Sequence, residues 1–210
     1  MVLLAIDTCL SACSAGLLLP GGETRAISLN IGTGHAEHLA PMVSTLLQDH
    51  HLRSEAVTKL AVTVGPGSFM GVRVGLSFGK GFAFARKLPT VGVTSLQALW
   101  LSAPPGATGY ALIDARRGQI YGQAFGKGAD HGPFLLGEDE VREKVGDLEG
   151  QTLIGSGVSL LNKERESDGP LVPDMALMAQ FAKDHAPTDL RPLYLRPPDA
   201  TPASPPKAIS

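Results

Sequence analysis

Two stretches of the chain, about a hundred residues apart, share one pattern that limits the folds open to it. The first, LLAIDTCLSACSAGLLL at residues 3–19, is typical of a strand that ends at Asp7, a turn and a second strand. The second, YALIDARRGQIYGQAF at residues 110–125, has the same order and ends its first strand at Asp114. One supersecondary unit used twice predicts two lobes of related plan, the second reduced because less chain remains for it.

The segment between the two units predicts an α/β lobe. From His35 to His50, apolar residues recur with the spacing of one helix face. A β-branched strand at residues 60–64 then leads into a glycine turn, where Ser68 is placed to cap a helix that runs to about Arg86. A further strand at 89–93 and a helix at 95–103 complete this part of the chain.

Composition marks three regions. The Pro- and Gly-rich segment APPGATG at 103–109 predicts a boundary, so we expect an N-terminal lobe at residues 1–103 and a reduced C-terminal lobe at 104–199. The second lobe should contain an acidic helix near 138–144, a strand within 152–157 and a helix near 173–183. Residues 200–210 are rich in Pro and Ser, which predicts a disordered tail.

The charge balance and the cysteines restrict the function classes. With 18 basic and 20 acidic residues the net charge is -2, so the overall balance indicates neither nucleic-acid nor membrane binding. Cys9 and Cys13 would lie ~13 Å apart along a strand, which is too far for a disulfide. The N-terminal apolar run has no preceding basic residues and contains Asp7, so we expect no signal peptide and a cytoplasmic protein.

The glycine turn VGPGSFMGVRVG at 64–75 raises the question of a phosphate site. A strand, a glycine turn and a helix N-terminus can bind an anion. The spacing matches neither known pattern, because the Gly-Lys pair that follows the turn, Gly79 and Lys80, lies inside the helix and Gly71 comes one residue too late after Gly67 for a dinucleotide fingerprint. A tight strand-to-helix turn is the simpler interpretation.

The helix after this turn carries a stripe of small residues, Gly71, Gly75, Gly79 and Ala83, spaced four apart. Interior glycines each cost about 1 kcal/mol relative to Ala, so close approach of another backbone should offset them. Two interpretations stay open: the stripe packs inside the chain between sheet and first helix, or it faces outward to receive a helix of a partner.

The residues give little support for a metal site or for a catalytic nucleophile. His35, Glu37 and His38 cluster at a helix start, but the two histidines are three apart rather than four and no third ligand is evident. Cys9 and Cys13 have the character of small buried residues, and no Ser lies in a G-x-S-x-G elbow. Asp7 and Asp114 are the best-placed carboxylates, with hydrogen bonding of a tight turn as an equally good interpretation.

Taken together, the segments IDTCLSACSAGLL, GHAEHLAP, VGPGSFMGVRVG, GVTSLQAL, DARRGQIY and YLRPPDA resemble the TsaB family, also called YeaZ, in order and spacing. The resemblance covers nearly the whole chain. It implies an actin-like fold of the sugar kinase and heat-shock ATPase superfamily, with two lobes of mixed sheets flanked by helices and the second lobe reduced. This agrees with the repeated strand, Asp, turn, strand unit.

The resemblance implies a non-catalytic subunit in the formation of threonylcarbamoyladenosine on tRNA, on the adenosine next to the anticodon. Its implied partners are TsaD, which would carry ATP, metal and catalysis, and TsaE, with self-association as a further option and tRNA reached only through the complex. No cofactor, catalytic residue, metal or membrane is implied for this chain. The alternatives left open are a glycoprotease-like metallopeptidase and an ATP-using phosphotransferase of the same fold.

We expect Asp7, Thr8 and Asp114 to occupy degenerate phosphate-loop positions, because no glycine follows Asp7. Met70 and Gln119 depart from the family pattern, where Thr and Glu are usual. We expect the partner interface to be formed by ten residues of the two helices, so that Gly75→Leu weakens TsaD binding and leaves the isolated chain folded. These residues are Leu39, Met42, Val43, Leu46, Gly71, Val72, Gly75, Leu76, Gly79 and Ala83.

Overall fold

The structure is a computed structural model that describes residues 1–129 and 132–196. The predicted tail at 200–210 lies outside the described residues. Two sheets are flanked by helices. The strands are β1 Val2–Asp7, β2 Ala12–Leu18, β3 Thr24–Asn30, β4 Val57–Thr63, β5 Thr90–Val93, β6 Gly109–Arg116, β7 Gln119–Phe125, β8 Phe134–Gly137 and β9 Thr152–Ile154. The helices are α1 His35–Gln48, α2 Phe69–Arg86, α3 Ser95–Trp100, α4 Glu138–Val145, α5 Val158–Leu161 and α6 Met175–Asp184, with a 3-10 turn at Ser54–Ala56.

The two sheets confirm the predicted duplication. The first has the order β3-β2-β1-β4-β5, in which β1 pairs antiparallel with β2 and parallel with β4. The second has the order β8-β7-β6-β9, in which β6 pairs antiparallel with β7 and parallel with β9. The second sheet therefore repeats the plan of the first without its fifth strand, and this two-lobed α/β arrangement is consistent with the actin-like fold.

Strand β1 is buried along its whole length because helices cover both faces of the first sheet. Successive side chains of a strand point to opposite faces. Leu4 and Ile6 accordingly pack in the core under α1 and α2. Leu3 and Ala5 pack on the other side against α6.

Helix α6 corrects the predicted lobe boundary. Although it follows the second sheet in the chain, Met175 and Met178 pack in the core of the first sheet. The segment after it stays with the first lobe, since Thr188 N donates to the carbonyl of Thr90 and Leu193 N donates to that of Val64. The predicted C-terminal lobe of residues 104–199 is therefore too long, because its residues 175–193 pack against the first sheet.

Several elements agree with the sequence pattern and others were not predicted. Helix α2 begins after Ser68, whose side chain accepts a hydrogen bond from Gly71 N, and ends at Arg86 as predicted. Strands β3 and β8 were missed. Within residues 1–129 and 132–196, no helix combines the length and the apolar character needed to cross a bilayer.

Candidate functional site

Asp7, at the end of β1, is fully buried and held inside its own turn. Its Oδ1 accepts hydrogen bonds from Cys9 N at 3.1 Å and from Thr63 Oγ1 at 2.5 Å. Its Oδ2 has no hydrogen-bond partner within the described part of the chain. Burial raises the pKa of this carboxyl, and the bond from Thr63 offsets part of the rise. A carboxyl in this setting stabilises a turn and has no room for a ligand on Oδ1.

Thr8 joins this turn to the start of α2. Thr8 Oγ1 donates to the carbonyl of Gly71 at 2.6 Å, and Ser68 N donates to the carbonyl of Cys9 at 2.8 Å. A Cβ added at Gly67 or Gly71 would overlap the carbonyl oxygens of Cys9 and Thr8 respectively. The glycines of the turn thus allow the backbone at the start of α2 to approach that of Thr8 and Cys9 closely. The amide N–H of Cys9 already donates to Asp7, so it cannot donate to a phosphate.

The two cysteines are buried thiols without a disulfide. Burial, together with the nearby Asp7 carboxylate, raises the pKa of Cys9 to about 12 and that of Cys13 to about 11. Both thiols therefore stay protonated at neutral pH, and neither is activated as a nucleophile.

Asp114 occupies the equivalent position in the second lobe but is more open. It accepts from Arg116 N through Oδ1 at 2.7 Å and forms an ion pair with the Arg116 guanidinium through Oδ2 at 3.1 Å. The turn that follows holds Arg116, Arg117 and Gly118 at φ values of 65, 57 and 68°. Two non-glycine residues in the left-handed region are uncommon, and both of these arginines are exposed.

The histidine cluster does not come together as a metal site. His35 is buried, with Nε2 3.2 Å from the carbonyl of Leu10, so its ring anchors the β1–β2 turn to α1. Glu37 is exposed and His38 is half-buried. No group of three His, Cys, Asp or Glu side chains that could hold a metal is found in residues 1–129 and 132–196.

The ten residues predicted to form the partner interface lie in the core of the first lobe. The prediction that they face outward is therefore wrong. All ten are buried: Leu39, Met42, Val43, Leu46, Gly71, Val72, Gly75, Leu76, Gly79 and Ala83. A Cβ at Gly75 would lie 2.6 Å from Thr8 Oγ1, and one at Gly79 would lie 2.8 Å from Val62 Cγ2. The small stripe faces β1 and β4, so Gly75→Leu should unfold the isolated chain, contrary to the expectation from sequence.

The two helices leave a groove open between them, on the side of α2 away from the glycine stripe. Between α1 and α2 runs a groove of about 360 Å³ that continues into a second of about 410 Å³. The first part is lined by Ala36, Leu39, Ala40, Met70, Arg73, Val74, Ser77 and Phe78. Met70 is 65% exposed and Phe84, farther along α2, is 89% exposed. We call this groove and its rim the α1–α2 outer face.

Sequence reasoning missed this face although a signal was present. Ala36, Ala40 and Ser44 recur every four residues along α1 and are all exposed. They form a second small stripe that flanks the apolar face of α1, since Leu39 lines the same groove as Ala36 and Ala40. The glycines of α2 are the stronger signal in the sequence, because glycine is unfavourable inside a helix, whereas exposed alanines are common there.

Comparison with known proteins identifies the family. The model for TsaD, tRNA N6-adenosine threonylcarbamoyltransferase, matches residues 31–132. The tRNA threonylcarbamoyladenosine biosynthesis protein TsaB of Escherichia coli is 31% identical over 197 residues, which cover 89% of this chain and 85% of that protein. TsaB of Haemophilus influenzae is 34% identical over 151 residues, covering 69% and 64%.

A solved structure agrees with these relatives. YeaZ from Pseudomonas aeruginosa superposes with a TM-score of 0.78 and 28% identity, covering 92% of this chain and 99% of that one. The similarity therefore extends over both lobes, as the sequence resemblance implied. This chain belongs to the TsaB family.

Proposed function

We propose that this chain is the non-catalytic partner subunit in the formation of threonylcarbamoyladenosine on tRNA, where it pairs with TsaD and supports TsaE. Family membership supports a role in this biosynthesis, since the relatives carry that name. The observation that carries the proposal is the α1–α2 outer face, an open groove between two helices with the exposed Met70 among its lining residues. ATP, metal and catalysis would then belong to TsaD.

The shape of the face favours another helix pair as its ligand. The exposed Ala36, Ala40 and Ser44 keep the surface of α1 low, so a partner helix can approach to the 8–10 Å typical of packed helices. Exposed Met70 and Phe84 provide apolar area that association would bury. Residues 31–132, which match the TsaD model, include both helices, so TsaD is expected to present an equivalent pair.

The Asp7 turn supports the assignment of a non-catalytic role. Its buried carboxyl, its bonded Cys9 amide and the backbone of α2 packed against Thr8 leave no cradle of free N–H groups for a phosphate. We therefore expect no ATP turnover from the isolated chain. Activity that survives purification and disappears in Asp7→Asn would instead favour a phosphotransferase.

The test of the interface uses exposed residues, so that folding is preserved. Ser77→Arg places a long cation in the groove and should weaken binding to TsaD roughly ten- to a hundredfold by calorimetry, through overpacking of about 1–3 kcal/mol. Ser159→Arg, an exposed helical serine of the second lobe, is the matched control and should bind normally. Thermal unfolding of both isolated variants should match that of the wild type.

Two outcomes would contradict the proposal. The first is a Ser77→Arg variant that binds TsaD as tightly as the wild type does. The second is a wild-type chain that does not bind TsaD at all. Self-association through the same face would appear as a dimer in sedimentation. Addition of TsaD should dissociate this dimer, and the Ser77→Arg variant should not form it.

A further inference from the structure

A surface beside the α1–α2 outer face, which shares Arg73 with it, combines aromatic rings with arginines. Phe69 is 48% exposed and Tyr194 is 45% exposed, and their ring centroids lie 5.4 Å apart. The guanidinium of Arg73 lies over the Phe69 ring, 3.8 Å from its centroid. Arg73, Phe69 and Tyr194 thus form a small cluster at the start of α2, in which the two rings are tilted by 42° and each is about half exposed.

This cluster is connected to the arginine turn of the second lobe. Arg196 follows Tyr194 by two residues, roughly 7 Å along an extended chain. Its Nη2 donates to the side-chain oxygen of Gln119 at 2.7 Å and contacts the carbonyl of Arg116 at 3.4 Å. The same segment therefore connects the cluster to the exposed Arg116 and Arg117. We call the whole the arginine–aromatic surface.

The charge of this surface is opposite to that of the chain as a whole. It carries Arg73, Arg116, Arg117 and Arg196, whereas the chain has a net charge of -2. Among its described contacts, the carboxylate paired with Arg116 is Asp114. Glu138, near Gly118, is itself paired with Arg142 at 3.5 Å. The guanidinium of Arg73 lies over a ring and that of Arg196 contacts neutral oxygens, so these two arginines make the surface cationic. The Arg116 side chain is 84% exposed.

We propose that the arginine–aromatic surface binds RNA, with unpaired bases stacking on Tyr194 and Phe69 and phosphates contacting Arg116 and Arg117. Aromatic rings and guanidinium planes are the groups on which proteins stack single-stranded bases, and arginines pair with backbone phosphates. The inference rests on the proposed function, in which tRNA is the substrate. It departs from the expectation that tRNA is reached only through the complex.

The probe is a transcribed tRNA with an end label, and the measurement is fluorescence anisotropy with the isolated full chain in about 25 mM salt. Arg116→Ser should weaken binding roughly tenfold and reduce the slope of log affinity against log salt by about one. Tyr194→Leu keeps apolar volume but removes the ring, and should weaken binding roughly five- to a hundredfold. Arg25→Ser is the matched control, because Arg25 also pairs with a nearby carboxylate, that of Glu23, but lies on β3 at the far edge of the first sheet.

Each result has one meaning for the proposal. It is supported if the wild type and Arg25→Ser bind alike and the other two variants bind more weakly. It is overturned if the wild type binds no RNA in this salt, or if Arg116→Ser and Tyr194→Leu bind as the wild type does. It is also overturned if these variants lose TsaD and keep RNA, which would make the surface a protein interface. Binding of the wild type to TsaD, measured separately, reports on the proposed function alone.

Discussion

The packing of α2 against β1 can be measured through Gly75. A Cβ at this position would lie 2.6 Å from Thr8 Oγ1, with its next neighbours, Thr8 Cβ and Val62 Cγ1, at 3.9 Å. Thr8 Oγ1 cannot move away freely because it donates to the carbonyl of Gly71. Gly75→Ala gains about 1 kcal/mol of helix propensity but incurs about 2–3 kcal/mol of overpacking, so we expect a net loss of about 1–2 kcal/mol.

Removing the Thr8 hydroxyl should turn the destabilising effect of Gly75→Ala into a stabilising one. In a Thr8→Ala background the atoms nearest to the new Cβ are at ordinary contact distance, so Gly75→Ala should raise the free energy of unfolding by about 1 kcal/mol. The coupling energy between the two positions in the double-mutant cycle is then about 2–3 kcal/mol. Gly81→Ala is the control, because no described atom lies within 4 Å of its Cβ, and it should raise the melting temperature by roughly 2–4 °C. Equal effects of Gly75→Ala in both backgrounds, measured by urea unfolding, would refute the inward orientation of the stripe.

Two further predictions concern buried polar groups. Burial raises the pKa of Asp7 above its unfolded value of about 3.9, so the wild type should lose stability as the pH rises through the raised value. Asp7→Asn removes this pH dependence, so the free energy of unfolding of the variant should rise relative to that of the wild type from about pH 4 upward. A constant difference between the two proteins across that range would contradict a raised pKa of Asp7. Lys59 Nζ donates to the carbonyls of Lys183 and His185 at the end of α6. Lys59→Met should therefore lower the melting temperature by roughly 4–8 °C, from about 2 kcal/mol, whereas the exposed Lys163→Met should change it little.

The fold was predictable where the pattern is local. The hairpin of β1 and β2 and the helices α1 and α2 follow from runs of apolar residues with the period of a strand or a helix. The repeat of strand, Asp, turn and strand was enough to predict two lobes of one plan, and the strand orders confirm it. Strand β3 was missed because it lies at a sheet edge with mostly exposed residues, so its sequence lacks a strong apolar alternation.

The candidate site was predictable only in part, because its orientation depends on non-local contacts. A stripe of glycines has the same sequence whether it faces a sheet or a partner. The contacts that decide between the two come from Val62 on β4 and from Thr8, which lies 67 positions before Gly75. The return of α6 to the first sheet is likewise invisible to a linear division into lobes. Tyr194 meets Phe69 for the same reason, across 125 positions of sequence.

The most direct test of the account is the amount of threonylcarbamoyladenosine formed on tRNA, measured by mass spectrometry of digested nucleosides. The reaction contains TsaD, TsaE, threonylcarbamoyl adenylate and a tRNA, with the wild-type chain, with Ser77→Arg, or without it. We predict that product forms with the wild type, falls strongly with Ser77→Arg, and falls to background when the chain is omitted. Equal product with and without the chain would contradict its role as the partner subunit.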